Sequence, residues 1–162
     1  MSDALFGWRT PDWRTREGHP ADSELFSALH GQCFARAWSE EEFESLLSEP
    51  GVVAHIACDR PGAPMVGLAL SRIAADEAEI LSIAILPARR GRGGGHALLA
   101  AHLNALAGRG VARVFLEVDE ENTSANILYA RFGFREVGRR EAYYARADGT
   151  KGAARVLSAA LR

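Results

Sequence analysis

Between Pro20 and Phe34 the apolar residues Leu25, Phe26, Leu29, Cys33 and Phe34 recur at spacings of three and four, which predicts a helix with Pro20 in its first turn. A second helix is predicted from "SEEEFESLLSEPG", because Ser39 and Glu42 have the spacing of a capping box, the first turn is acidic, and Pro50-Gly51 ends the run. "VVAHIACD" and "MVGLALSRIA" read as strands, and the turn formers "RPGAP" between them predict a hairpin connection. "AEILSIAIL" is close to continuously apolar, the pattern of a strand covered on both faces, and Pro87 ends it. A glycine-rich segment follows, and then a helix through "HALLAAHLNALAGRG" closed by Gly108 or Gly110. "VARVFLEV" predicts a further buried strand, "TSANILYARF" a short helix bounded by Gly133, and "FREVGRR" and "ARVLSAAL" two closing strands. The expected order is α-α-β-β-β-α-β-α-β-β after a possible short first strand, an α/β protein with a mixed sheet flanked by helices. Residues 1–13 show no period and are expected to be an extension ahead of one domain spanning 14–162.

Composition supports a single globular unit: 162 residues are 48% hydrophobic and 25% charged, enough for one core and unlike a disordered chain. No apolar run reaches membrane-spanning length and the start lacks the progression of an export signal, so a cytoplasmic location without membrane association is expected. Cys33 and Cys58 are read as buried free thiols, and the five histidines lack the spacing of a zinc site, so no metal is expected. Charge is uneven along the chain. Residues 1–86 hold six basic and fourteen acidic residues, and residues 87–162 hold thirteen and seven, which fits an anionic ligand on the second half and a cationic one facing the first.

The glycine segment is where chemistry concentrates. In "ARRGRGGGH", residues 88–96, a strand end is joined to a helix start, and such a junction offers free backbone N–H groups at the positive end of a helix dipole. Gly91, Gly93, Gly94 and Gly95 can adopt φ > 0 and let an anion approach the main chain, while Arg89, Arg90 and Arg92 add forked cations suited to phosphate oxygens. A nucleoside triphosphate loop would need Gly-Lys-Ser/Thr where His96 and Ala97 stand. An RNA-binding arginine-glycine tract would be repeated and interleaved with aromatics. A pyrophosphate cradle and a plain structural turn remain.

Arg90-Gly91-Arg92-Gly93-Gly94-Gly95 fits the R/Q-x-x-G-x-G/A signature of the GNAT superfamily, the acetyl-coenzyme A (acetyl-CoA) dependent N-acetyltransferases. "LEVDEENTSANILYARFGF", residues 116–134, resembles the block of the branch that acetylates the N-terminal alanine of a ribosomal protein. "AWSEEEF" and "RREAYYARADG" are similar to two further segments of that branch, with Ala37, Ala145 and Gly152 standing where the branch often has other residues.

The resemblance implies the GNAT fold and acetyl transfer to an amine, first of all a protein N-terminal α-amine, with no nucleic-acid contact. A small-molecule amine acetyltransferase and a non-catalytic acyl-CoA binding domain are the alternatives. It implies that the main chain of Ile83, Ala84 and Ile85 holds the pantetheine arm as an added strand would, with an N–H there stabilising the developing oxyanion. Arg90 to His96 and Asn122 would hold the rest of the cofactor. Glu117 is implied as the base, acting through a water, with a pKa expected to rise if Phe115, Leu116 and Val118 bury it. Tyr129 is implied as the acid facing the sulfur, against the plainer reading of a core tyrosine.

Overall fold

The computed structural model describes the backbone of residues 10–145 and 148–161, and the side chains of these except 142–145. Strand β1 is Arg14–Glu17; helices α1, Ser23–Cys33, and α2, Glu40–Leu47, follow, the first entered through a 3-10 turn at Pro20–Asp22. Strands β2 (Val52–Cys58), β3 (Gly67–Ala74) and β4 (Glu77–Ile85) precede a second 3-10 turn, Pro87–Arg89. Helix α3 (Gly94–Gly108), β5 (Arg113–Asp119), α4 (Thr123–Arg131), β6 (Arg135–Ala145) and β7 (Lys151–Ala160) complete the order. The predicted elements are all present, and the short first strand is real. Pro20 belongs to the 3-10 turn and not to α1 proper. The box at α2 forms as its spacing demands: Glu42 N–H donates to Ser39 Oγ (3.1 Å) and Ser39 N–H to Glu42 Oε2 (2.7 Å).

One seven-stranded sheet runs in the order β1-β2-β3-β4-β5-β7-β6, and its β4–β5 pair alone is parallel. That pair is short. It joins Glu77–Ile80 to Arg113–Leu116 and then stops, although β4 continues to Ile85 and β5 to Asp119. The cause lies in the β3–β4 register, which steps from Leu70↔Ser82 to Ser71↔Ile80 and leaves Leu81 as an extra residue. A bulge of this kind bends and twists its strand, so β4 leaves β5 where the extra residue sits.

Each face of the sheet carries a core. Leu99, Leu103 and Leu106 of α3 pack with Ala78, Ile80, Val114, Leu116, Val118 and Leu157, while Phe26, Leu29, Phe43 and Leu47 of α1 and α2 cover Ala54, Ile56, Leu68 and Leu70 on the other side. "VARVFLEV" is covered less evenly than its composition suggests. Val114, Leu116 and Val118 are buried, whereas Phe115, Glu117 and Asp119 on the alternate face are only partly so, because neither α1 nor α2 extends over that half of the sheet.

Helix α3 is also pinned by polar contacts in the core. His102, fully buried, bonds Ser71 Oγ through Nε2 (2.6 Å) and His55 Nδ1 through Nδ1 (2.8 Å), so one proton serves the two facing nitrogens. Burial and the neighbouring His55 push His102 down to about 3, and burial lowers His55 as well, against Glu17, which raises it. The unfolded chain therefore binds more protons below the ordinary imidazole value, and stability is complete above it and lost as pH falls. The loss at pH 5 should be about 2 kcal/mol from His102 alone. Urea midpoints at pH 7.5 and pH 5 measure it, with His102→Gln expected to flatten the dependence; an unchanged wild-type midpoint would refute it.

Candidate active site

Where β4 and β5 part, β4 presents an unpaired edge. Leu86 N–H bonds Val66 C=O on the β3 side, so alternation turns Ala84 main-chain groups to β3 and those of Ile83 and Ile85 to the gap. The implied trio thus divides: Ile83 and Ile85 carry the open backbone groups, and Ala84 contributes to the wall. Ile85 C=O is already taken, accepting from Arg90 Nε at 2.8 Å.

A cleft of about 520 Å³ opens along this edge. Ile83, Ala84 and Ile85 form one wall, the turn contributes Arg89, Arg90, Gly91, Gly93, Gly94, Gly95 and His96, and α4 supplies Asn122, Leu128 and Tyr129. Gly93 is the N-cap of α3 with φ 84°, and Gly91 has φ 77°, conformations that a side chain would strain. The turn is braced from outside. Arg89 Nη1 donates to Asp59 Oδ2 (3.0 Å), and Arg92, which does not line the cleft, accepts at its carbonyl from Trp13 Nε1 (2.8 Å). Of the three arginines, then, Arg89 is already matched by a carboxylate. His96 is exposed, and its ring lies 4.9 Å from that of Phe132.

Asn122 caps α4, its Oδ1 accepting from Ala125 N–H at 3.3 Å. Asn126, which the sequence reading passed over, donates through Nδ2 to the carbonyls of Asp119 (3.1 Å) and Asn122 (2.7 Å) and so fixes α4 to the end of β5. Tyr129 is buried against Phe134, with ring centroids 5.6 Å apart, and also lines the cleft.

Glu117 is not part of that wall. It stands one residue past the last β4–β5 pair, and alternation turns it to the face opposite Leu116 and Val118, where its Oε1 meets Arg140 Nε at 3.1 Å. The condition of burial among Phe115, Leu116 and Val118 is therefore met only in part: Leu116 and Val118 face the other way, Phe115 shares the face of Glu117, and the Glu117 side chain is 20% exposed beside a guanidinium. The gap between the strands joins the two faces, with Tyr129 and the glycine turn on one side and Glu117 on the other.

Cys33, expected to be buried, is half-buried at the cleft wall with Sγ 3.7 Å from Ile85 C=O, and burial pushes its thiol up although Arg90 opposes this. Cys58 is buried as expected. Ala37 is exposed in the α1–α2 connection and Gly152 is buried on β7, whereas the side chain of Ala145 and residues 146–147 of "RREAYYARADG" lie outside the described residues.

The family model for the acetyltransferase (GNAT) family matches residues 3–134. The chain belongs to this family. A curated relative, the [ribosomal protein bS18]-alanine N-acetyltransferase of Escherichia coli (strain K12), is 34% identical over 133 residues, 81% of this chain and 88% of that protein. The N-alpha-acetyltransferase RimI of Mycobacterium tuberculosis is 36% identical over 130 residues, 76% of this chain and 79% of its own. Among solved structures, the Escherichia coli ribosomal-protein-S18-alanine N-acetyltransferase superposes with TM-score 0.84 and 27% identity, covering 93% of this chain and 94% of that one. Arabidopsis thaliana NAA60 in complex with acetyl-CoA shares the fold at TM-score 0.77 and 23% identity, over 92% of this chain and 98% of its own. As a GNAT enzyme the protein is an N-acetyltransferase, and the family's acetyl donor is acetyl-CoA. An open backbone edge running into a helix N-terminus with two left-handed glycines fits an amide-bearing arm that ends in a diphosphate.

Beside the GNAT gap, Ser82 is buried and its Oγ is the one buried side-chain polar atom among the described residues without a hydrogen-bond partner. Ser82→Ala removes no bond, so the variant should be as stable as wild type or up to about 1 kcal/mol more stable. A calorimetric unfolding temperature well below wild type would contradict this.

Proposed function

We propose that the enzyme acetylates the N-terminal α-amine of a protein, with alanine as the acceptor residue; the name of one relative states alanine for it, and that of another an α-amine. The observation that carries the reading is the gap itself: an open β4 edge and a glycine turn on one face, and a carboxylate at the first β5 position no longer paired with β4 on the other. Such a gap admits a thioester from one side and an amine from the other.

In this reading the amides of the turn and the start of α3 bind the diphosphate of acetyl-CoA, with Arg90 beside them. Ile83 N–H and C=O pair with the amides of the arm and aim the thioester through the gap. An N–H on this edge also donates to the carbonyl oxygen as charge develops there. Glu117 takes the amine proton through a water, held in place by Arg140. Tyr129 Oη donates to the departing sulfur. A phenol is the weaker acid of the two in water, with reference values of about 10 and about 8.5, so its proton moves only as the C–S bond breaks.

Glu117 also bears on the acceptor. A carboxylate is a weak base, and it suits an amine that is already partly neutral. At pH 7 roughly 14% of an α-amine is neutral, against roughly 0.04% of a lysine side chain. The excess of acidic residues in 1–86 favours a basic acceptor tail.

Thiol release with acetyl-CoA and an Ala-initiated basic peptide tests the reading, with a polyamine as the competing acceptor. The peptide should be acetylated at its α-nitrogen, located by tandem mass spectrometry, and Glu117→Gln and Tyr129→Phe should each lower kcat by about 10- to 1,000-fold. Preference for the polyamine would overturn the acceptor assignment; full activity of either variant would remove that residue from the mechanism.

A further inference from the structure

We propose that Trp13 is a positioning residue for the diphosphate-binding turn, selecting the one peptide orientation in which the turn offers its amides to acetyl-CoA. The proposal rests on the reading above, that the turn holds the diphosphate.

Trp13 immediately precedes β1, yet it reaches the turn 79 residues away, where Nε1 donates to the carbonyl of Arg92 at 2.8 Å. Its indole also occupies the space above Gly94: a Cβ there would lie 2.5 Å, 2.6 Å and 3.0 Å from three ring carbons. The same ring packs on the small cluster of Ala57, Ala69, Ile85 and Leu98 beneath the start of α3. Gly94 is therefore a glycine because of Trp13, whereas Gly91 and Gly93 are glycines because of their φ angles.

The consequence follows from peptide geometry. Arg92 C=O and Gly93 N–H belong to one planar trans unit and point in opposite directions. Tying the carbonyl to Trp13 thus aims the Gly93 N–H away from Trp13, and Gly93 is a cleft residue at the N-cap of α3. Without a tether this unit turns over at little cost. Gly93 accepts φ of either sign, and the interconversion of turn types is a rotation of this central peptide. The flipped state would present a carbonyl to the diphosphate in place of a donor. Neighbouring contacts complete the frame: Asp12 N–H bonds Asp59 C=O (2.8 Å), and the Asp59 carboxylate holds Arg89, so the ends of the turn are fixed and the Arg92–Gly93 unit between them is fixed by Trp13.

Two donors separate this role from general packing: acetyl-CoA, and S-acetyl-pantetheine, which carries the thioester arm without the diphosphate. Trp13→Phe keeps most of the ring and loses the N–H. It should lower kcat/KM for acetyl-CoA by about 3- to 10-fold, the worth of one hydrogen bond, through KM and not kcat. With S-acetyl-pantetheine the change should stay under about 2-fold. Gly94→Ala, which displaces the indole, should show the same donor-selective loss, and thermal unfolding reports whether either variant is folded. Equal losses with both donors, or none with either, would overturn the role of Trp13. Gly93→Ala, strained at φ 84°, tests the underlying reading separately. Selective loss of acetyl-CoA there without any in Trp13→Phe refutes the positioning role alone, and no selectivity in Gly93→Ala refutes the diphosphate site and the positioning role together.

Discussion

Everything at this site depends on two parallel strands ceasing to pair. β4 and β5 share a register only from Glu77/Arg113 to Ile80/Leu116, and the extra residue Leu81 sends β4 away before either strand ends. Buried backbone groups without partners are costly, so such a parting persists only where something else can satisfy them. Part of the answer is internal, because Arg90 donates to Ile85 C=O. The remainder is the edge proposed to hold the donor's arm. The rest of the sheet is antiparallel, and its two cores make a rigid frame in which this interruption is localised.

The frame concentrates its reinforcement on α3, whose N-terminus faces the cleft. Leu98, Leu99, Leu103 and Leu106 seat the helix on the sheet, His102 ties its middle to Ser71 and His55, and the turn before it is held by Asp59 and Trp13. A helix end binds an anion best when its N–H groups are fixed beforehand, since ordering them on binding subtracts from affinity. A buried polar chain of three side chains is an expensive way to hold a helix, because it is stable only while its histidines stay neutral. Its gain is register: Ser71 and His55 lie on neighbouring strands, and a helix sliding along the sheet would lose both bonds at once.

Local patterns made most of this architecture legible. The spacing of Leu25, Phe26 and Leu29, the Ser39–Glu42 box, the turn formers between β2 and β3, and the apolar run before Pro87 each concern residues within a few positions of one another, and each formed the expected element, although β4 alternates buried with less buried residues instead of being covered on both faces. The glycine turn was legible for the same reason, its strand, bend and helix being contiguous. What stayed hidden was set by distant pairings. β7 inserts between β5 and β6, a single extra residue opens the gap, and Trp13 meets a carbonyl 79 residues away; none of these leaves a periodic trace. Glu117 shows the same limit from the other side. Flanked by Leu116 and Val118 it leaves its burial open in the sequence, because a strand's immediate neighbours are on its opposite face, and its surroundings are set by Arg140 on β6.

That opposition of faces bears on how the two substrates can be handled independently. Leu116 and Val118 point into the α3 core beneath the glycine turn, while Glu117 between them points to the opposite face, so in the proposed mechanism one strand would serve both substrates with alternating residues. On that proposal, a change among the residues around Glu117 and Arg140 would alter the environment of an incoming amine without disturbing the seat of α3. The α1–α2 connection, with Ala37 exposed and Trp38 packed on the α1–α2 core, starts at Phe34, which with Cys33 lines the same cleft as the glycine turn, so the two faces also meet at the end of α1.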